Sequence, residues 1–144
     1  MIDMTNRTTE PLWITVCSTR LGSCFDANGT QQNLKQIEEL LRRERLGDSP
    51  QLFVLPEFAP HGWAPGKSMA EWNAIAESIP GPTVNRLIKL AGDLRCWIAG
   101  TVFERLAEFP GRHFLTGVVI DPNGARSEEH TSELQSRQYL VCRL

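Results

Sequence analysis

The 144-residue chain has no long apolar run, and its longest, residues 52–55 and 97–103, fall far short of the roughly 18 residues a membrane-spanning helix requires. A bilayer-spanning helix is therefore not expected. An excess of either charge is also missing: 15 basic against 17 acidic residues leave a formal charge of −2, which gives no positive field to attract a polyanion. Neither nucleic acid nor a membrane is an expected partner. Residues 1–12 lack the basic start and apolar stretch of a signal peptide and carry Asp3 and Glu10 instead, so a cytoplasmic location is expected. The four cysteines, Cys17, Cys24, Cys96 and Cys142, form no closely spaced pair, and in a reducing compartment they imply neither a zinc site nor a disulfide framework. Asn6 and Asn28 begin glycosylation triplets, which are short enough to arise by chance and count only in a secreted protein.

Hydrophobic residues make up 41% of the chain, an ordinary figure for a globular protein, and the length suits a single domain with its own core. After a polar arm over residues 1–11, the β-branched run LWITVCS at 12–18 reads as a buried strand. Leu34, Ile37, Leu40 and Leu41 recur at helical spacing within residues 30–46, with Glu38/Arg42 and Glu39/Arg43 as exposed pairs and Gly47 as the stop. QLFVL at 51–55 then reads as a fully apolar strand from the middle of a sheet covered on both faces. Strand, helix, strand predicts a parallel βαβ unit and an α/β fold.

Pro56 ends that strand, and residues 58–67, with two Pro and two Gly, read as loop. Ser68 with Glu71 predicts a capping box for a helix carrying Met69, Trp72, Ile75, Ala76 and Ile79, which Pro80-Gly81-Pro82 terminates. Thr83 is placed to cap a further helix bearing Val84, Leu87, Ile88 and Ala91, closed by Gly92. RCWIAGTVF at 95–103 and HFLTGVVI at 113–120 follow as strands, and Asp121-Pro122-Asn123-Gly124 makes a turn that ought to lead into a hairpin partner. No strand-like run comes after it. RSEEHTSELQS at 126–136 resembles instead the translation of a sequencing-library adapter, so residues 126–144 are expected to be a non-native tail without chemistry in Glu128, Glu129, His130 or Cys142. The alternative is a solvated C-terminal helix beginning at Ser127.

Three features invite a chemical reading. Gly66-Lys67-Ser68 ends like a phosphate loop, but Gly62 and Gly66 enclose three residues where that motif needs four. His61 has no second ligand at metal-binding spacing and reads as an ordinary loop histidine. Glu57 is the informative one, a carboxylate just past the carboxyl end of a central strand, where open α/β sheets gather their ligand crevices. Partial burial beside Phe53, Phe58 and Trp63 would raise its pKa toward that of a working general base.

LFVLPEFAPHGW, IPGPTV, LAGDLRCWIAGTVFER and HFLTGVVIDPNG, in that order, resemble the carbon-nitrogen hydrolase (nitrilase) family, over residues 12–125. The Pro-Glu-Phe-Ala-x-x-Gly form is most similar to the amidase branch, while Phe114-Leu115-Thr116 stands where the family commonly has Tyr-Asn-Thr, and Ser18 or Thr19 replaces a frequent Gln. The resemblance implies the N-terminal part of a four-layer αββα sandwich and a Glu-Lys-Cys triad cleaving a small amide, nitrile or carbamoyl compound without metal or organic cofactor, in a parent that is a homo-oligomer. Glu57 maps onto the first triad member. The Lys and Cys positions fall beyond residue 125, none of the chain's cysteines matches the nucleophile's motif, and Lys67 and Lys89 lie in other segments. An inactive, aggregation-prone fragment is therefore expected, with a non-catalytic α/β module that binds a small molecule or partner as the alternative.

Overall fold

A computed structural model describes residues 10–22 and 27–123, together with the backbone of 126–133. The first nine residues of the polar arm, Cys24, Gly124 and the tail from residue 134, with Cys142, lie outside the described residues. The elements run β1 (Trp13–Val16), α1 (Ala27–Arg43), β2 (Gln51–Val54), α2 (Met69–Ile75), α3 (Pro82–Leu94), β3 (Trp97–Glu104), β4 (Phe114–Ile120) and β5 (Arg126–Glu133). They form one five-stranded sheet in sequence order, with β1, β2 and β3 parallel and β3, β4 and β5 antiparallel.

The βαβ unit follows from the apolar spacing. Leu34, Ile37 and Leu41 of α1 pack with Leu87, Leu90 and Ala91 of α3 onto Phe53, Leu55, Ile98 and Ile120, one face of the alternating strands. α1 ends at Arg43, short of the expected Leu46, and Gly47 at φ 54° turns the chain instead. There the Arg45 guanidinium donates to the carbonyls of Leu94 and Ser49, both at 2.8 Å, tying the ends of α1 and α3 together. Buried Gln51 is satisfied locally, donating to Thr15 Oγ1 at 2.8 Å and to the Glu44 carbonyl at 3.0 Å.

The Ser68 capping box forms as the spacing predicts, but α2 stops at Ile75, because residue 77 leaves the helix to bridge in parallel to Glu104 of β3. α3 starts at Pro82 on an N-cap at Gly81, so Thr83 is not its cap. The Glu77 carboxylate takes that role from outside the helix, accepting the Thr83 N–H at 3.0 Å. At the other end Gly92 does not close α3, which continues to Leu94 with Arg95 in the left-handed conformation at φ 49°.

Three expectations for the sheet need correction. β1 is not buried: it is an edge strand, and Ile14 and Val16 are 62% and 76% exposed. They lie with half-buried Leu52, Val54, Trp97, Ala99 and Val119 on the sheet face turned away from α1 and α3. Among the described residues only the far end of that face is covered, where Trp72 of α2 and Ala76 just past its end pack on Phe103 and Leu115. β2 is thus covered on one face, not two. The hairpin partner also exists: residues 126–133 pair antiparallel with β4, with a register irregularity between Val119 and Ile120. Backbone pairing at a sheet edge needs no apolar alternation, which is why a polar run can occupy it. The helical alternative for this segment is overturned.

Candidate functional site

Where β2 ends, the chain makes a tight elbow. The Leu55 N–H donates to the Ala99 carbonyl at 2.9 Å, the last ladder bond before Pro56, and Glu57 follows at the carboxyl end of the parallel strands. Phe58 then adopts φ 61°, a left-handed conformation that costs a non-glycine residue about 1–2 kcal/mol. Its backbone is held there on both sides. The Phe58 N–H donates to Thr101 Oγ1 of β3 at 3.1 Å, and its carbonyl accepts the N–H groups of His61 and Gly62 at 2.9 and 2.7 Å. Strain fixed by surrounding bonds beside a chemically capable residue is a recognised mark of functional sites.

The Phe58 ring is aimed inward, 5.4 Å from Phe103 and 5.1 Å from Trp63 between ring centroids. Trp72 extends the cluster, 5.0 Å from Phe103 and 5.5 Å from Trp63, so the loop is locked onto β3 and α2 by aromatic packing. Trp63 itself remains 58% exposed at the rim. Glu57 is correspondingly left on the outside of the turn, and the expected partial burial is not found: its side chain is exposed. Phe53 faces the helix layer and Phe58 the aromatic cluster, so neither shields the carboxylate.

His61, four residues on, is buried at 1% exposure with its ring 5.3 Å from Phe103. Burial pushes its imidazole down to about 4, so it is neutral at pH 7. His113 is lowered by burial too and meets Asn73 Oδ1 through Nδ1 at 2.6 Å. The two described thiols, Cys17 and Cys96, are buried in the helix-side core. Burial raises both, Cys96 to about 11, and with Cys17 the Glu44 charge adds to the effect, which leaves them poor nucleophiles. Each of the chain's three lysines is engaged by a carboxylate four residues on: Lys35 with Glu39 at 4.0 Å within α1, Lys89 with Asp93 at 2.6 Å within α3, and Lys67, just before α2, with Glu71 at 2.9 Å. Lys67 and Ser68 thus serve the start of α2 rather than a phosphate. The Glu71 carboxyl is held down to about 2, first by the Ser68 N–H and then by Lys67 and the Ser68 hydroxyl. No metal-binding group of three side chains occurs among the described residues.

Glu57 therefore stands on a rigid elbow, able to accept a proton, with neither a reactive thiol nor an unpaired lysine beside it among the described residues. One pairing escaped the sequence reading. The β3–β4 register sets Glu104 against Phe114, and the buried Thr116 hydroxyl donates to Glu104 Oε2 at 2.6 Å. Both residues stood in the matched motif, but only the strand register shows that they meet.

The sequence profile of the carbon-nitrogen hydrolase family matches residues 18–138, and the chain belongs to that family. No curated protein matches it. Among solved structures it is similar to an N-terminal amidase, with TM-score 0.63 and 14% identity over 83% of this chain and 27% of that one. It is also similar to XC1258 of Xanthomonas campestris, described as a CN-hydrolase superfamily protein, with TM-score 0.55 and 27% identity over 71% and 34% of the two chains. Nit3 of Saccharomyces cerevisiae, a nitrilase-superfamily member, matches with TM-score 0.58 and 19% identity over 71% and 38%. The chain thus spans 27–38% of these solved relatives, and its fold is the N-terminal part of a nitrilase-like sandwich. No helix among the described residues is long and apolar enough to cross a membrane.

Proposed function

We propose that the chain is the N-terminal part of a cytoplasmic carbon-nitrogen hydrolase acting on a small amide, nitrile or carbamoyl compound, with Glu57 as its general base. The observation that carries this reading is the placement of Glu57 on a strained elbow at the carboxyl end of β2, pinned to β3 through Thr101. In the full enzyme a cysteine thiolate attacks the substrate carbon, a lysine stabilises the charge that develops on the substrate heteroatom, and Glu57 takes and returns the proton. Ammonia or an amine leaves, and water hydrolyses the acyl-enzyme. Lys and Cys come from the segment that follows the β4 turn in the full enzyme; residues 126–144 are foreign to it, even though 126–133 pair with β4 and the family match runs to residue 138, and this chain alone is inactive. The parent assembles as a homo-oligomer.

Ammonia release from small amides and nitriles tests the reading. The 144-residue chain is expected to give none, whereas a rate above background that Glu57→Gln removes would refute its inactivity. In an enzyme whose frame continues past Asn123 to a Lys and a Cys, Glu57→Gln is expected to lower kcat by about 10²–10⁴. An undiminished kcat would refute the role of Glu57.

A further inference from the structure

A cavity of about 310 Å3 opens on the helix side of the sheet's carboxyl end, between the first turns of α1 and α3, the His61 loop and the exit of α2. Glu57 does not line it. Its walls combine apolar surface from Ile75 and Pro82 with the buried side chains of Thr30, His61 and Thr83, a mixture typical of small-molecule sites. At ~30 Å3 per water molecule, the space suits a ligand of about ten non-hydrogen atoms or fewer.

Charge selects the kind of ligand. One acidic and one basic side chain line the cavity, Glu77 and Arg105. The Glu77 carboxylate already accepts the Thr83 N–H, at 3.0 Å to one oxygen and 3.2 Å to the other. Arg105 is fixed at its base, where its backbone N–H donates to the Glu77 carbonyl at 2.9 Å, yet among the described residues its guanidinium makes no ion pair or hydrogen bond. Among the described residues the negative group is engaged and the positive one is not. His61, neutral at pH 7, adds a ring able to donate or accept one hydrogen bond without adding charge.

We propose that this cavity binds a small monocarboxylate with a short apolar tail, its carboxylate held by Arg105 and its tail lying against Ile75 and Pro82. Binding here is separate from the chemistry proposed for Glu57 and holds or fails without it. An affinity in the millimolar range is expected for so small a ligand.

The test is saturation-transfer NMR on the 144-residue chain with butyrate, butylammonium and butanol, a readout that tolerates self-associated protein. Transfer to butyrate in preference to the other two is expected. Arg105→Gln should weaken butyrate about tenfold, the loss of a charge-assisted bond, while Arg105→Lys should retain most of the binding. Lys89→Ala, in an ion pair on the outer surface of α3, should change nothing. Preference for butylammonium, equal transfer to butanol, no transfer to butyrate, or butyrate binding untouched by Arg105→Gln would each overturn the proposal.

Discussion

Replacing Ile14 and Val16 by threonine separates the stability of this chain from its tendency to associate. Both side chains lie on the bare face of the sheet, 62% and 76% exposed. Full burial of an aliphatic side chain contributes about 1.5–3 kcal/mol, so at these exposures the two together supply only about 1–2 kcal/mol to the fold. Threonine keeps the β-branched shape that suits a strand, so β1 should persist. Association is another matter, because contiguous exposed apolar surface on a sheet is what a second molecule covers. The unsubstituted 144-residue chain is expected to sediment as oligomers or aggregates and to bind a hydrophobic dye, whereas Ile14→Thr/Val16→Thr should shift toward monomer with the unfolding free energy lowered by no more than that small contribution. Sedimentation velocity and urea unfolding read the two effects independently. An unsubstituted 144-residue chain that is monomeric, binds no dye and melts cooperatively would refute the inference that this face is built to be covered. A double variant that fails to fold would refute the partition between stability and association.

Thr116→Val removes a short bond to a buried carboxylate and should cost about 1.5–3 kcal/mol in urea unfolding, a loss that shrinks when Glu104→Gln is already present; independent effects would show that the 2.6 Å contact carries no coupling. His61 is held neutral by burial with its pKa lowered from 6.5 to about 4, so between those values the unfolded chain binds the extra proton and stability falls on acidification. The loss is up to roughly 3 kcal/mol by pH 4, and His61→Gln should flatten the profile over that window; parallel profiles for the two proteins would contradict the assignment. Cys17 and Cys96 should resist iodoacetamide at pH 7.5 in the folded chain and react in urea, read peptide by peptide in a mass spectrometer; rapid labelling of either when folded would show a thiol more reactive than its burial allows.

Local chemistry was legible where it acts over a few residues. Ser68 and Glu71 make their capping box because three-residue spacing alone puts the two side chains within reach. Leu34, Ile37 and Leu41 fall on one helix face for the same kind of reason. Pro56 stops β2 and leaves Glu57 at its carboxyl end, as a missing donor dictates. What could not be read depends on neighbours distant in the chain. The run LWITVCS is apolar enough to be buried, but β1 lies at an edge, and Ile14 and Val16 stay largely exposed there. Glu57 looked half-buried because aromatic residues flank it in sequence, whereas the left-handed Phe58 carries its ring away onto Phe103. α3 is capped by Glu77, a residue from before the preceding turn, which accepts the Thr83 N–H, while Thr83 itself lies one residue inside the helix. β5 has no apolar rhythm, because an edge strand can be held by backbone bonds alone.

Whether Glu57 belongs to a Glu-Lys-Cys triad is decided by amplifying and resequencing the source DNA across the codons for residues 123–144. RSEEHTSELQS is expected to disappear and the frame to continue after the β4 turn to a Lys and then a Cys, completing the triad that Glu57 begins. Genomic DNA that encodes RSEEHTSELQS and stops after Leu144 would contradict this, and the binding module would then be the better reading of this chain.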